Sequence, residues 1–138
     1  MRAFIALVLM AGVAACGTGS GVTAPGSAHG GSGVLTLARV NGQTLPAPRT
    51  FQTIVSGFLQ LDSSGIYTRE EVAIYPNLQG GTDRNQGQDH GTWVSRGDSI
   101  FLTSTIGVVV IGPGRGVFTS SGAKLRVDGV DYEYTRQP

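Results

Sequence analysis

Turn-forming segments interrupt the apolar stretches of this chain again and again. Ser63-Ser64-Gly65, Gly97-Asp98, Gly112-Pro113-Gly114 and Asp128-Gly129 each interrupt an apolar stretch, and glycine and proline both disfavour helix interiors. Between these breaks the apolar residues alternate. Leu125-Arg126-Val127-Asp128 and Asp131-Tyr132-Glu133-Tyr134 flank Asp128-Gly129, a pair suited to the two-residue hairpin turn. Leu59 and Leu61 alternate with Gln60 and Asp62, and Ile100 and Leu102 flank Phe101. No stretch of ten residues after the N-terminal apolar run repeats apolar side chains at spacings of three and four. The 22 glycines and the 14% charged content fit the same picture of short strands and tight turns.

Residues 34–40, 50–56, 58–62, 66–75, 92–95, 100–102, 108–111 and 116–119, with the final hairpin, give about eight to ten strands in sequential turns. An antiparallel meander of that size must close or fold over to bury one face and protect its edges. The expected fold is all-β, a meander closing into a small barrel or a strongly curved sheet. Residues 76–89, rich in Gly, Asn, Gln and Asp, are expected to form a solvated loop.

The N-terminus has a different character. Met1-Arg2 supplies a short positive end, followed by an apolar run over residues 3–13 of the length expected for the core of an export signal. Even with Ala14 and Ala15 it falls short of the 20 or so residues that span a bilayer. The run ends in Val13-Ala14-Ala15-Cys16, which resembles the lipobox of bacterial lipoproteins. The resemblance implies cleavage before Cys16, attachment of diacylglycerol to its thiol and acylation, palmitate for example, of the new amine. Two or three buried acyl chains, at about 0.8 kcal/mol per methylene, hold a protein at a membrane without a spanning segment. Gly17 stands where an aspartate would signal inner-membrane retention, so the resemblance implies an outer-membrane location in a Gram-negative cell. With a single cysteine, no disulfide or cysteine-only metal site forms within one chain.

Three segments follow: a signal peptide over 1–15, a lipidated cysteine and Gly/Ser-rich tether over 16–33, and a β domain over 34–138. The tether, in which His29 is a solvated residue, is too poor in apolar groups to offset its ordering entropy. Its random-coil span is roughly 20–25 Å. Loss of Arg2 with the leader leaves equal numbers of basic and acidic residues, and no net charge to attract nucleic acid.

The domain itself resembles the small lipocalin-like domains of bacterial lipoproteins. The residues that carry this are Gly91-Thr92-Trp93, Gly97-Asp98-Ser99-Ile100-Phe101-Leu102, Tyr132-x-Tyr134-x-Arg136, Val40-Asn41-Gly42-x-x-Leu45-Pro46 and Leu61-x-x-x-Gly65-x-Tyr67. True lipocalins carry Gly-x-Trp in the first strand, whereas Trp93 falls past the middle of this chain. The resemblance implies a barrel whose mouth receives a small apolar ligand. Trp93, Phe101, Phe118, Tyr132 and Tyr134 either line such a cavity or fill the core, since an eight-stranded barrel can do either.

Other candidates read more plainly. Asp83-x-Asn85-x-Gly87-x-Asp89 has oxygen groups at alternating positions, but Gly87 interrupts them and no bidentate glutamate follows, so no metal site is expected. His90 adjoins Asp89, yet neighbouring strand residues point to opposite faces and no nucleophile elbow is present. Glu70 and Glu71 diverge for the same reason, with Glu70 expected in a cross-strand ion pair with an arginine. Arg115, between glycines, is expected in a hairpin turn. The expected activity is therefore a lipid-tethered, non-enzymatic binding module without a cofactor. Its rival is an envelope protein that holds a protein partner on its sheet surface.

Overall fold

The computed structural model describes residues 32–105 and 113–137. The leader, Cys16, His29 and the expected strand at 108–111 lie outside them. All regular structure among the described residues is β: β1 (Gly33–Val40), β2 (Gln43–Thr44), β3 (Ala47–Pro48), β4 (Thr53–Leu61), β5 (Ile66–Pro76), β6 (Thr82–Arg96), β7 (Ser99–Ser104), β8 (Gly114–Thr119), β9 (Gly122–Val127) and β10 (Val130–Arg136). From β4 to β10 each strand pairs antiparallel with the next, β10 pairs with β1, and β1 pairs with β4. This last pairing closes an eight-stranded antiparallel barrel, with β2 and β3 as short additions at one end.

The hairpins follow from local chemistry. Asp128 and Gly129 take φ of 49° and 78°, and Asn41 and Gly42 the same pair of values. Positive φ at both central residues defines the turn whose twist matches paired strands. Residues 50–62, expected as two strands, form the single strand β4, with an irregularity between Ile54 and Ser56. Gly57 allows the continuity, because a Cβ there would press on the Glu70 carbonyl of β5.

Residues 76–89 depart from expectation most. Only residues 77–81 form a turn, and Thr82–Arg96 is one fifteen-residue strand in register with β5 from Thr82 opposite Pro76 to Thr92 opposite Ile66. Residues 82–88 are exposed, so they carry no apolar alternation, and their strand geometry is imposed by backbone pairing to β5. Asn77 braces the turn: its Oδ1 accepts from the amides of Gln79 and Gly81 at 3.2 and 2.7 Å, and its Nδ2 donates to Asp83 at 3.0 Å.

Inward positions are mostly apolar: Leu35, Leu37, Leu59, Leu61, Ile100, Leu102, Leu125, Val127 and Tyr134 are all buried. Outward positions such as Lys124, Arg126 and Asp131 are exposed, the reverse of the arrangement in a barrel that spans a membrane with its strands. At the end formed by turns 62–65, 97–98 and 120–121, Trp93 is 1% exposed and meets Phe118 edge to face, with ring centroids 6.3 Å apart. Its indole N–H donates to the Asp62 carbonyl at 3.0 Å. This end of the interior is filled.

Candidate functional site

Toward the opposite end, marked by turns 41–42, 77–81 and 128–129, the interior becomes polar. Alternation along β5 sends Tyr67, Arg69, Glu71, Ala73 and Tyr75 to the face that Tyr67 and Ala73 bury. Register with β6 sets Arg69 opposite Asp89 and Glu71 opposite Gly87. Arg69 and Asp89 are only 8% and 4% exposed, so two ionisable groups meet inside the barrel wall.

Their hydrogen bonds form a connected network. Arg69 Nη1 donates to Glu71 Oε1 at 2.7 Å. Asp89 accepts from the Tyr67 hydroxyl at 2.9 Å and from Ser104 Oγ at 2.7 Å, and its Oδ2 lies 3.6 Å from Arg69 Nε. That last separation is an ion-pair contact too long for a hydrogen bond, and Arg69 Nε has no hydrogen-bond acceptor. The guanidinium carbon sits 5.1 Å from the centre of the Tyr132 ring, in the range of a cation–π contact. Tyr132 in turn stacks on Tyr134 at 6.3 Å, and the buried Tyr134 hydroxyl lacks a partner.

Burial and this charge pattern shift the titrations. Burial pushes the Tyr67 hydroxyl above its ordinary range, reinforced by its bond to Asp89. Burial likewise raises Tyr132 and Tyr134, opposed in both by the Arg69 charge. For Arg69, burial disfavours the cation, but Tyr134, Glu71 and Tyr132 together outweigh it and hold the guanidinium protonated.

Beside the network a cavity of about 180 Å³ opens at the barrel mouth. Arg69, Glu71 and Asp89 supply charged groups to its lining, and Ile54, Ala73 and Tyr75 apolar ones. Gln52 and Asn85 add amide groups. Among the described residues no three His, Cys, Asp or Glu side chains converge as metal ligands.

The five aromatic residues singled out from the sequence are placed elsewhere. Trp93, Tyr132 and Tyr134 are buried core, with Phe118 packed against it, and none of the four lines this cavity. Phe101 does neither job: it faces outward opposite Val94, with the Arg96 guanidinium 5.8 Å from its ring centre. Asp89 and His90 do point apart, one buried and one exposed. Glu70 stands opposite Phe58 and Gln88, not an arginine. The ion pair belongs instead to Glu71, two residues along the strand from Arg69. Arg115 lies in β8 opposite Phe101 and Arg126, not in a turn.

Arg69 and Tyr67 were not among the sequence candidates. The signal was present in the alternation Tyr67-x-Arg69-x-Glu71-x-Ala73-x-Tyr75, which assigns all five to one face once Tyr67 and Ala73 are core. The chain matches no protein-family model, no curated protein and no solved structure.

Proposed function

We propose that this chain is a lipid-anchored cell-envelope protein, held through Cys16, whose barrel is a non-enzymatic binding module for a small ligand at its mouth. The supporting observation is the cavity lined both by the apolar groups of Ile54, Ala73 and Tyr75 and by the Arg69–Glu71–Asp89 network. Such a pocket suits a ligand with an apolar body and a polar head. The opposite end of the barrel is filled by Trp93 and Phe118, which leaves the mouth as the side of entry. Arg69, Glu71 and Asp89 are each engaged by another residue of the network, which fits binding better than turnover.

Two experiments test this. Native mass spectrometry of protein purified gently from its own host should find a bound small molecule. Intact-mass measurement of membrane fractions should find Cys16 acylated and N-terminal, with Cys16→Ser left uncut or aberrantly processed. An unmodified thiol and cleavage elsewhere would refute the anchor, and with it the outer-membrane assignment drawn from Gly17.

A second reading, a sheet surface that holds a protein partner, draws on β6. This strand pairs with β5 along most of its length but with β7 only from Gly91 to Arg96. The edge at residues 82–88 therefore has no strand partner among the described residues, and an open edge can accept a strand from another chain.

A further inference from the structure

Basic and acidic residues balance over residues 16–138, yet the barrel wall separates them. β7, β8 and β9 contain no acidic residue, and the outward positions of β8 and β9 carry Arg115, Lys124 and Arg126. Arg96, opposite Ser99, adds a fourth cation at the end of β6. Arg115 stands directly opposite Arg126, and like charges so placed repel. Acids stand only at the margins of this face: Asp98 and Asp128 in turns, and Asp131 and Glu133 on β10. The last two pair with Arg126 and Lys124 at 3.4 and 3.1 Å. Arg115 has no acidic partner among the described residues.

The same face exposes apolar groups. Val94 and Val117 are 42% and 44% exposed. Phe101 stands between Val94 and Arg115 across the strands, with the Arg96 guanidinium 5.8 Å from its ring centre. Cations interleaved with exposed valine and phenylalanine suit an anionic lipid surface, where phosphates meet the charges and short apolar groups reach the acyl boundary. A groove of about 540 Å³ on this face, lined by Arg115, Lys124 and Arg126 with Asp131 and Glu133, has room for a phosphate headgroup, an anion that arginine holds well.

The chain enters the barrel within reach of this face. β1 begins at Gly33, opposite Leu61 at the closed end, and β8 lies three strands round the wall from β1, past β10 and β9. At about 4.8 Å per strand that is about 14 Å, less than the roughly 20–25 Å expected of the tether. A chain held at Cys16 can therefore lay this face on the membrane that holds it, and in this respect the inference rests on the anchor proposed above.

We propose that the outer face of β7, β8 and β9 docks on anionic phospholipid, with Arg96, Arg115, Lys124 and Arg126 on lipid phosphates and Val94, Phe101 and Val117 at the acyl boundary. The barrel then lies on its side, with its mouth facing along the membrane plane.

For the test, the full chain is purified from the membranes of cells that make it, and the state of Cys16 is read by intact mass. The protein is placed in nanodiscs of phosphatidylcholine, with or without phosphatidylglycerol, that contain a lipid with a nitroxide headgroup. Nitrogen-resolved NMR then measures paramagnetic broadening of backbone amides. With phosphatidylglycerol, broadening should concentrate on Phe101, Arg115, Val117, Lys124 and Arg126 and spare Glu70 and Ile74 on β5. High salt, or omission of phosphatidylglycerol, should remove the contrast. Arg115→Gln should lower the ratio of docked to undocked protein about fivefold, the effect of one cation at an anionic surface. Arg84→Gln, which removes an exposed cation from β6, should leave that ratio unchanged. Broadening that is even round the barrel, or strongest on β4 and β5, overturns the proposal, as does an equal response to the two variants. Shifts at the same residues with soluble polyglutamate but no broadening in anionic discs would overturn it in favour of an acidic protein partner. Selective broadening in protein whose Cys16 is unmodified would refute the anchor and uphold the docking face; an acylated Cys16 with even broadening would do the reverse.

Discussion

Replacing Trp93 by alanine tests whether the closed end of the barrel is packed as described. The side chain is 1% exposed, so truncation removes a fully buried aromatic from the core. Aromatic-to-alanine changes in cores cost about 3–5 kcal/mol. The lost hydrogen bond from the indole to the Asp62 carbonyl adds about 1 kcal/mol, and the lost edge-to-face contact with Phe118 about 0.5–1.5 kcal/mol. These contributions overlap, so a total near 4–5 kcal/mol is expected, against a stability of about 5–15 kcal/mol for a typical domain. At about 4–8 °C per kcal/mol for a domain of this size, the melting temperature should fall by roughly 15–40 °C. Trp93→Phe keeps the apolar bulk and the ring contact but not the hydrogen bond, and should lose about 1–2 kcal/mol. Urea and thermal melts followed by circular dichroism measure both variants. In the native protein iodide should leave the fluorescence of this single tryptophan almost unquenched. A loss below about 1 kcal/mol for Trp93→Ala, together with strong quenching of the native protein, would refute the packed end and point to an exposed Trp93.

Other consequences follow from the polar network and the tight barrel wall. Arg69→Met leaves the buried Asp89 and the half-buried Glu71 without their cation and should destabilise the fold by about 3–5 kcal/mol; a neutral or stabilised variant in urea melts would contradict the network. Tyr67, Tyr132 and Tyr134 each titrate above the ordinary value of 10.0 in the folded chain. Their neutral forms therefore contribute stability that is fully present below about pH 10 and is lost as the pH rises beyond it, because the unfolded chain ionises first. Melts from pH 8 upward should show a steep alkaline loss that shrinks when Tyr134 is replaced by Phe. Gly91→Ala places a Cβ against the Thr103 carbonyl on the neighbouring strand, and should cost about 1–3 kcal/mol by overpacking; an unchanged melting temperature would show that the wall can yield there.

Much of the fold was legible in the chain. Alternation over Leu125–Val127 and Tyr132–Tyr134, with Asp128-Gly129 between, specified the last hairpin because local turn chemistry and burial agree there. Trp93, expected either to line a cavity or to fill the core, does the second. Other features depended on partners distant in sequence. The closing pairing of Gly33–Thr36 with residues 58–61 is a contact between segments that carry no local mark of each other. The exposed ribbon at 82–88 reads as a loop because both of its faces meet solvent, and only the β5 backbone makes it a strand. The charged site lay hidden for a related reason. Arg69 and Asp89 look like solvated polar residues until the register of β5 and β6 places them side by side on the inner face. Sequence determined where the chain turns and which strands carry an apolar face; tertiary pairing alone decided that the sheet closes, and that a guanidinium and two carboxylates are brought inside it, where burial makes each depend on the others.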